Sequence, residues 1–415
     1  MRLLVVSHTP HYRRADGTVV GWGPTVRELD HLSRLVDELV HLAVLYDEPA
    51  PASSAPYRSA VRLVPIAPAG GPRLRDKLGV LRRLPAIWRH LQREAPAADL
   101  IHVRAPAHIA LLAMLWRGAG PWWAASRPWW VKYAGNWRPL AGMDHAGWFV
   151  QRLWATRPRG RLAVTVNGTW RTAPHVVPFV NPCLEREELA AARRLAAAKE
   201  LTAPLRLLYV GALTAPKGAV RAVEVLARLV ARHGVDARLD LVGDGPARTT
   251  IERRVRDLGA GLDIDLGERV ALHGWLPRGE VAARYAAAHC LLLPSAGEGW
   301  PKVLSEAMAA GVVPLAGDVS GIAATLRDCG CGRALPPHAV DAFADALADY
   351  ADEPALWRRE SRAACAAAER FTYDAWLGDV RALWRDRLGV DVGLDMGFDM
   401  GLEVGVDAAA PEVRR

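Results

Sequence analysis

The sequence predicts an α/β protein: two doubly wound parallel sheets in tandem, with helices closing the C-terminal end. Three observations carry this. Short apolar runs alternate with amphipathic stretches, the alternation pauses at residues 181–204 and restarts, and residues 338–387 hold successive helical segments. Short strands joined by helical crossovers build a parallel sheet. A length of 415 residues exceeds what one hydrophobic core usually serves, so two domains are expected.

In the first half the strand-like runs are 3–6, 42–46, 61–66, 100–103, 129–133 and 162–166. Between the first two, Val26, Leu29, Leu32, Val36, Leu39 and Val40 read as one helical face. Residues 181–204 are polar, helical in pattern and closed by a proline, and read as the bridge between domains. The second half has strands at 205–210, 239–242, 270–272, 290–293 and 312–315, with a helix at 219–229 and others between. The expected division is 1–180, 181–370, a helix at 371–388 and a tail at 389–415. In the tail glycine recurs every fourth residue among acids, from Gly389 to Gly405, which reads as disordered rather than as a metal site.

Composition narrows the classes. Five sparse cysteines without a CxxC pair support neither a disulfide framework nor a zinc site, and fit a reducing compartment. The start, MRLLVVSHTP, turns polar at Ser7 and His8, too early for a signal-peptide core. The longest apolar run, 109–116, is too short to span a bilayer. A cytoplasmic protein is expected, at most peripheral on the inner membrane face. Residues 1–180 carry 24 Lys and Arg against 11 Asp and Glu, net +13; the remainder carries 29 against 34, net −5. A basic front half favours a phosphate-rich ligand, an anionic membrane surface or nucleic acid. No nucleic-acid reading motif accompanies it, so no nucleic-acid partner is expected. Trp116, Trp122, Trp123, Trp129, Trp130, Trp137, Trp148 and Trp154 all fall in one basic segment. Trp129 and Trp130 read as core, whereas Trp122 and Trp123, in a Gly-Pro loop, read equally as packing or as an acceptor or membrane contact.

Three glycine loops lie between a strand and a helix. "VVGWGPTVREL" places Gly21 and Gly23 before a helix with Pro24 in its first turn; "LYVGALTAPKGAVRAV" places Gly211 after a strand and Lys217 at a helix start; "DLVGDGPARTTIERRV" holds Gly243 and Gly245. Helix starts offer unpaired N–H groups to an anion and glycine allows close approach, so three together point to a phosphorylated nucleotide. The strongest signal is "SAGEGWPKVLSEAMAAGV", where Glu298 stands in a glycine-flanked loop at a strand's carboxyl end and Glu306 on the helix that follows. Such ends are where open α/β sheets bind ligands. An exposed Lys302–Glu306 pair four apart accounts for Glu306 but not for Glu298. "DID" at 263–265 reads as a surface turn, and no metal site is expected.

With these segments, and with "ALHGWLP" and "FTYDAWLGDVRALW", the chain resembles the retaining glycosyltransferases of family 4 over roughly residues 1–388. The resemblance implies the GT-B fold, two Rossmann-like domains facing across a cleft, with 1–180 taking the acceptor and 181–370 the donor. It implies a nucleoside-diphosphate sugar as donor substrate, no metal or other cofactor, and an acceptor left unidentified. It places Glu298 at the transferred sugar, Lys217 at the diphosphate and Glu306 at the donor ribose. Backbone at Gly274, Trp275 and Leu276 meets the base, and Gly23 approaches the diphosphate. Gly299, Trp300, Pro301, Lys302 and Val303 complete the donor loop. Family members usually carry Arg or Ser after the first glycine of the phosphate loop, but Ala212 follows Gly211 here, which leaves that contact to Lys302 or Arg138. A histidine common at the end of a first-domain strand is also absent from "VKYAGNW", with Lys132 or Asn136 as substitutes. His8, beside the first glycine loop with His11, and His102, at a strand end, are the acceptor-side histidines, and His102 reads equally as a structural histidine. Two other readings stay open: a binding protein of the same fold without turnover, and a nucleotide-sugar epimerase.

Overall fold

The computed structural model describes residues 1–68, 74–137, 145–168 and 170–393. Two sheets organise it. The first contains β1 (Arg2–Arg13), β2 (Val19–Trp22), β3 (Glu38–Tyr46), β4 (Ser54–Pro56), β5 (Val61–Ile66), β6 (Leu100–Ala105), β7 (Trp129–Tyr133), β8 (Leu162–Val166) and β9 (Val176–Pro178). Its parallel part runs β5-β3-β1-β6-β7-β8-β9. The inner strands β3, β6, β7 and β8 are almost wholly buried on both faces, as helices covering a parallel sheet require, while the edge strands β5 and β9 are less so.

The structure corrects three expectations here. β2 and β4 are antiparallel additions that the sequence reading lacked. They exist because β1 runs twelve residues, far past the apolar run 3–6, with a register shift between Val6 and Pro10 before it pairs with β2. His8 and His11 therefore lie inside a strand rather than after it. The first helix covers only Gly23–Leu32, followed by one 3-10 turn, and Leu39 and Val40 belong to β3. A helical face and a buried strand are both apolar, so the periodicity ran through their junction. Trp122 and Trp123 open a short helix, Trp122–Ser126, instead of a loop, and Trp123 packs edge-on against Trp116 at 5.4 Å. Trp129 and Trp130 are fully buried.

The second sheet contains β10 (Leu205–Val210), β11 (Ala237–Val242), β12 (Val270–Gly274), β13 (Cys290–Leu293), β14 (Val313–Gly317) and β15 (Arg333–Leu335). All are parallel in the order β12-β11-β10-β13-β14-β15, with the order reversing between β10 and β13. That reversal is where an open sheet leaves a crevice at its carboxyl ends. The helix Arg186–Ala197 begins with a capping box between Glu185 and Glu188 and buries Leu189 in this second core.

The chain crosses between the sheets twice, and the crossings are hydrogen-bonded to each other. Cys183 N–H donates to Phe371 O at 2.9 Å and Tyr373 N–H to Leu184 O at 3.0 Å. Thr372 then caps the helix Tyr373–Leu388 by accepting from Ala375 N–H. That helix leaves the second sheet and packs Trp376, Val380 and Trp384 on the first, against Trp130. Gly389, in the left-handed conformation, ends it. The glycine-rich tail from residue 394 lies outside the described residues.

Candidate functional site

The loop and helix after β13 are shaped by their sequence. β13 is four buried apolar residues, Pro301 is the extended residue before the helix Lys302–Ala309, and Gly311 at φ +66° ends it. Gly311 N–H bonds to Met308 O and Val312 N–H to Ala307 O, the paired bonds of a Schellman stop. Inside the loop, Glu298 is 7% exposed. Its Oε2 accepts from Lys217 Nζ at 2.6 Å and its Oε1 from Ser295 Oγ at 2.7 Å. Lys217 is placed by a 3-10 turn and by Gly218 at φ +81°, where a Cβ would lie 2.2 Å from Pro294 O. Gly299 approaches the other sheet so closely that a Cβ would lie 2.2 Å from Ala134 O. Its glycine is set by contact between the two halves.

These groups open on a cavity of about 420 Å³ between the sheets. From the second half it is lined by Gly211, Ala212, Lys217, Glu298, Gly299, Trp300, Pro301, Lys302 and Val303. From the first half it is lined by Trp22, Pro24, Thr25, Glu28, Arg104, Lys132 and Ala134. Trp300 donates from Nε1 to Ser305 Oγ at 2.9 Å and stacks on Phe371 at 5.3 Å, so one wall leans on the crossing. Behind Trp300 a cavity of about 430 Å³ lies along the crossings, bordered by Phe179, Arg370 and Asp379. It holds neither Glu298 nor Lys217.

Glu28 and Arg104 are cleft residues that the sequence reading missed. Glu28 is 2% exposed and accepts from Arg104 Nη1 at 2.5 Å and from Lys132 Nζ at 2.7 Å. Burial alone would raise the Glu28 carboxyl, but Arg104 and Lys132 hold it far below the usual carboxylate range. Burial lowers the Lys132 ammonium to about 7 against the pull of Glu28, with Arg104 pushing the same way as burial. Lys302 is likewise lowered by burial, and Glu28 is its largest attractive partner. Four cationic side chains, Arg104, Lys132, Lys217 and Lys302, thus face two carboxylates, Glu28 and Glu298, around one cavity. No local signal marks Glu28 in the sequence, since the buried face of the first helix also carries the polar Thr25 and His31.

Other predicted residues lie elsewhere. Glu306 borders a separate apolar cavity of about 360 Å³ with Tyr285 and Arg278, and accepts from Tyr285 Oη at 3.2 Å. Lys302 and Glu306 do not form the exposed pair weighed above: one faces the cleft, the other this second cavity. Gly243 packs on the Gly211 carbonyl, and its N–H donates to Gly274 O at 2.8 Å, so the three glycines tie the loops after β10, β11 and β12 together. Trp275 is 56% exposed and Leu276 half-buried, both outside the cleft lining. Gly21 lies where a Cβ would meet the His11 ring at 2.7 Å, and Gly23 donates to Ser53 O at 3.0 Å. Both are glycines for packing.

Among the acceptor-side residues, Lys132 lines the cleft. His102 is fully buried, stacked 3.9 Å from Trp130 with Nδ1–H donating to Trp130 O, so it faces the interior rather than the cleft. His8 stays within β1, outside the cleft lining. Asn136 Oδ1 accepts from Ser320 Oγ at 3.0 Å, joining the halves beside the cleft. Arg138 lies outside the described residues. Asp263 and Asp265 are exposed after the helix Arg248–Leu262. Among the described residues no group of three or more His, Cys, Asp or Glu could hold a metal ion.

Comparison with known proteins gives three findings. Residues 195–370 match the family described as glycosyl transferases group 1. Alpha-D-kanosaminyltransferase of Streptomyces kanamyceticus is 29% identical over 43% of this chain and 45% of its own length. D-inositol 3-phosphate glycosyltransferase of Streptomyces scabiei is 33% identical over 45% and 41%. The chain thus spans less than half the length of these curated relatives. Among solved structures, Anabaena HepE in complex with UDP superposes with a TM-score of 0.65 at 16% identity, covering 93% of this chain and all of that one. An α,α-trehalose-phosphate synthase (UDP-forming) from Burkholderia vietnamiensis gives 0.66 at 15%, covering 94% and 100%. At these identities the likeness is one of fold.

Proposed function

We propose that the chain, which has the GT-B fold and whose residues 195–370 match glycosyl transferases group 1, transfers a hexosyl group from a nucleoside-diphosphate sugar, UDP- or GDP-linked, to an acceptor hydroxyl with retention. One observation carries the reading. The Lys217–Glu298 pair, with an ammonium and a carboxylate 2.6 Å apart, sits at the reversal of strand order inside a cleft richer in cations than in carboxylates. Breaking a glycosidic phosphate ester develops positive charge on the sugar and negative charge on the departing diphosphate. In this reading Lys217 and Lys302 stabilise the diphosphate as it leaves. Glu298, fixed by Ser295 and Lys217, holds the transferred sugar. Glu306, on the same helix as Lys302, takes the ribose diol, with the glycine loops at Gly211, Gly243 and Gly274 beneath the nucleotide. Residues 1–180 hold the acceptor and 181–370 the donor.

The acceptor in this reading is a cell-envelope glycan, a lipid-linked glycan or a secondary metabolite; a relative named as a kanosaminyltransferase suits a hexosyl group as the one transferred, and one named for inositol 3-phosphate suits a hydroxyl-bearing acceptor. The proposed compartment is the cytoplasm. A peripheral contact with the inner membrane face fits the exposed Phe149, Val150 and Leu153 on the helix His145–Thr156, which lies in the basic, Trp-rich segment. The reading is tested by incubating the protein with UDP- and GDP-sugars and a panel of hydroxyl acceptors. Glu306→Ala should weaken donor binding, and Glu298→Ala or Lys217→Ala should lower turnover; three variants with unchanged transfer would refute these roles. Ala212 and the missing histidine favour one rival, a nucleotide-sugar binder without turnover, which would bind a donor tightly and transfer to nothing. An epimerase would instead make a new sugar nucleotide without any acceptor.

A further inference from the structure

Arg104 and Lys132 sit directly opposite each other on neighbouring strands, paired in register between β6 and β7 at the carboxyl edge of the first sheet. Both reach the same carboxylate. Arg104 grips Glu28 through two nitrogens, at 2.5 and 3.4 Å, and Lys132 takes Oε1 at 2.7 Å. Arg104 also donates to Thr25 Oγ1 at 3.4 Å, in the first turn of the helix that carries Glu28. All four line the cavity that Lys217 and Lys302 enter from the other half. At the loop after β10, Ala212 gives the cavity no side-chain donor. The four cations and two carboxylates leave a formal excess of two positive charges, the complement of the two negative charges on a nucleoside-diphosphate sugar.

We propose that Arg104 and Lys132 are diphosphate-binding residues contributed by the first half, and that Glu28 is a positioning residue which holds them at the cleft and competes with the diphosphate for them. This rests on the donor reading above. A guanidinium and an ammonium fixed by one carboxylate need no reordering when a second anion arrives, because one face of the pair is already held. Glu28 also limits how tightly the product diphosphate is kept, since its charge repels the same phosphates that Arg104 and Lys132 attract. The buried carboxylate thereby trades affinity for release.

The experiment is titration of the full chain with UDP, GDP, UMP and GMP at low and moderate salt, using whichever base binds. Arg104→Ala and Lys132→Met should each weaken diphosphate binding about tenfold while changing monophosphate binding much less, as loss of a charge-assisted contact to the outer phosphate requires. Glu28→Gln should tighten the diphosphate about tenfold and lower kcat more than KM, through slower product release. Should Glu28→Gln fail to fold, Glu28→Gln/Lys132→Met, which restores the charge balance, should bind the diphosphate more tightly than Lys132→Met alone. Equal losses for mono- and diphosphate, or a Glu28→Gln variant that folds and binds diphosphate no more tightly than wild type, would overturn the proposal. Wild-type protein that binds none of the four overturns the donor reading as well, and that outcome is distinct because it appears before any substitution is made.

Discussion

The two walls of the cleft are built differently. The second half presents glycines, backbone and two short loops: Gly211, Gly299 and the Lys217–Glu298 pair come from two contiguous stretches after β10 and β13. The first half presents buried charge from three separate elements, with Glu28, Arg104 and Lys132 separated by 76 and 104 residues from helix to strands. A loop that must meet a ligand and a neighbouring backbone leaves a local signature in sequence, because glycine and proline are forced at fixed spacing. A charge cluster assembled by sheet register leaves none, since each member alone reads as an ordinary surface residue. The wall assembled from distant elements is therefore the harder one to read.

That contrast is breakable by substitution. The largest effect is expected on the second wall, where Lys217→Ala or Glu298→Ala should lower kcat by about 10²–10³-fold, as removal of a group stabilising developing charge does. Gly299→Ala comes next: its Cβ would meet Ala134 O at 2.2 Å, so the halves must separate to admit it. Transfer should fall by at least about tenfold, while thermal stability drops by only ~1–3 kcal/mol, the usual penalty of overpacking. Transfer at the wild-type rate would show that the contact between Gly299 and Ala134 is dispensable.

The first wall should reveal itself by pH. Lys132 is lowered to about 7 by burial, with Arg104 and Lys302 adding to that and Glu28 opposing it. An arriving diphosphate raises it, so binding at pH 8 should take up a fraction of a proton and binding at pH 6 almost none. Calorimetry in buffers of different ionisation enthalpy reads this directly. A smaller and separate effect comes from buried histidines, three within strands of the first sheet and one directly before β13. Burial lowers His11, His41 and His102, and lowers His289 to about 4. Groups kept neutral in the fold bind fewer protons than the unfolded chain below pH 6.5. Stability should hold above that pH and fall beneath it, by up to ~1.4 kcal/mol per pH unit for each histidine. A melting temperature flat from pH 7 to 5 would contradict this.

Much of the architecture was legible because buried parallel strands are continuous apolar runs, and β10 to β14 fall close to where those runs stand. β2 and β4 were not, since a long bulged β1 and partners of only four and three residues carry no period. Gly21 illustrates a different limit. It was read as a ligand-facing glycine, yet its neighbour is His11, itself bonded through Nε2 to Tyr57 Oη at 2.8 Å and through Nδ1 to Thr9 O at 2.9 Å. Sequence shows that a glycine is needed, not which neighbour needs it. His102 likewise reads as a strand end in the sequence, but it is the third of the six residues of β6 and is turned inward by its stack on Trp130.

The central claim is that the Lys217–Glu298 cleft cleaves a nucleoside-diphosphate sugar. Its most direct test is nucleoside diphosphate released from UDP- and GDP-sugars by the wild-type chain, with and without acceptors, beside Lys217→Ala and Glu298→Ala. Release by wild type from at least one donor, reduced about 10²-fold or more in both variants, is the predicted result. Release by both variants at the wild-type rate, or none by wild type with any donor and acceptor, would contradict it.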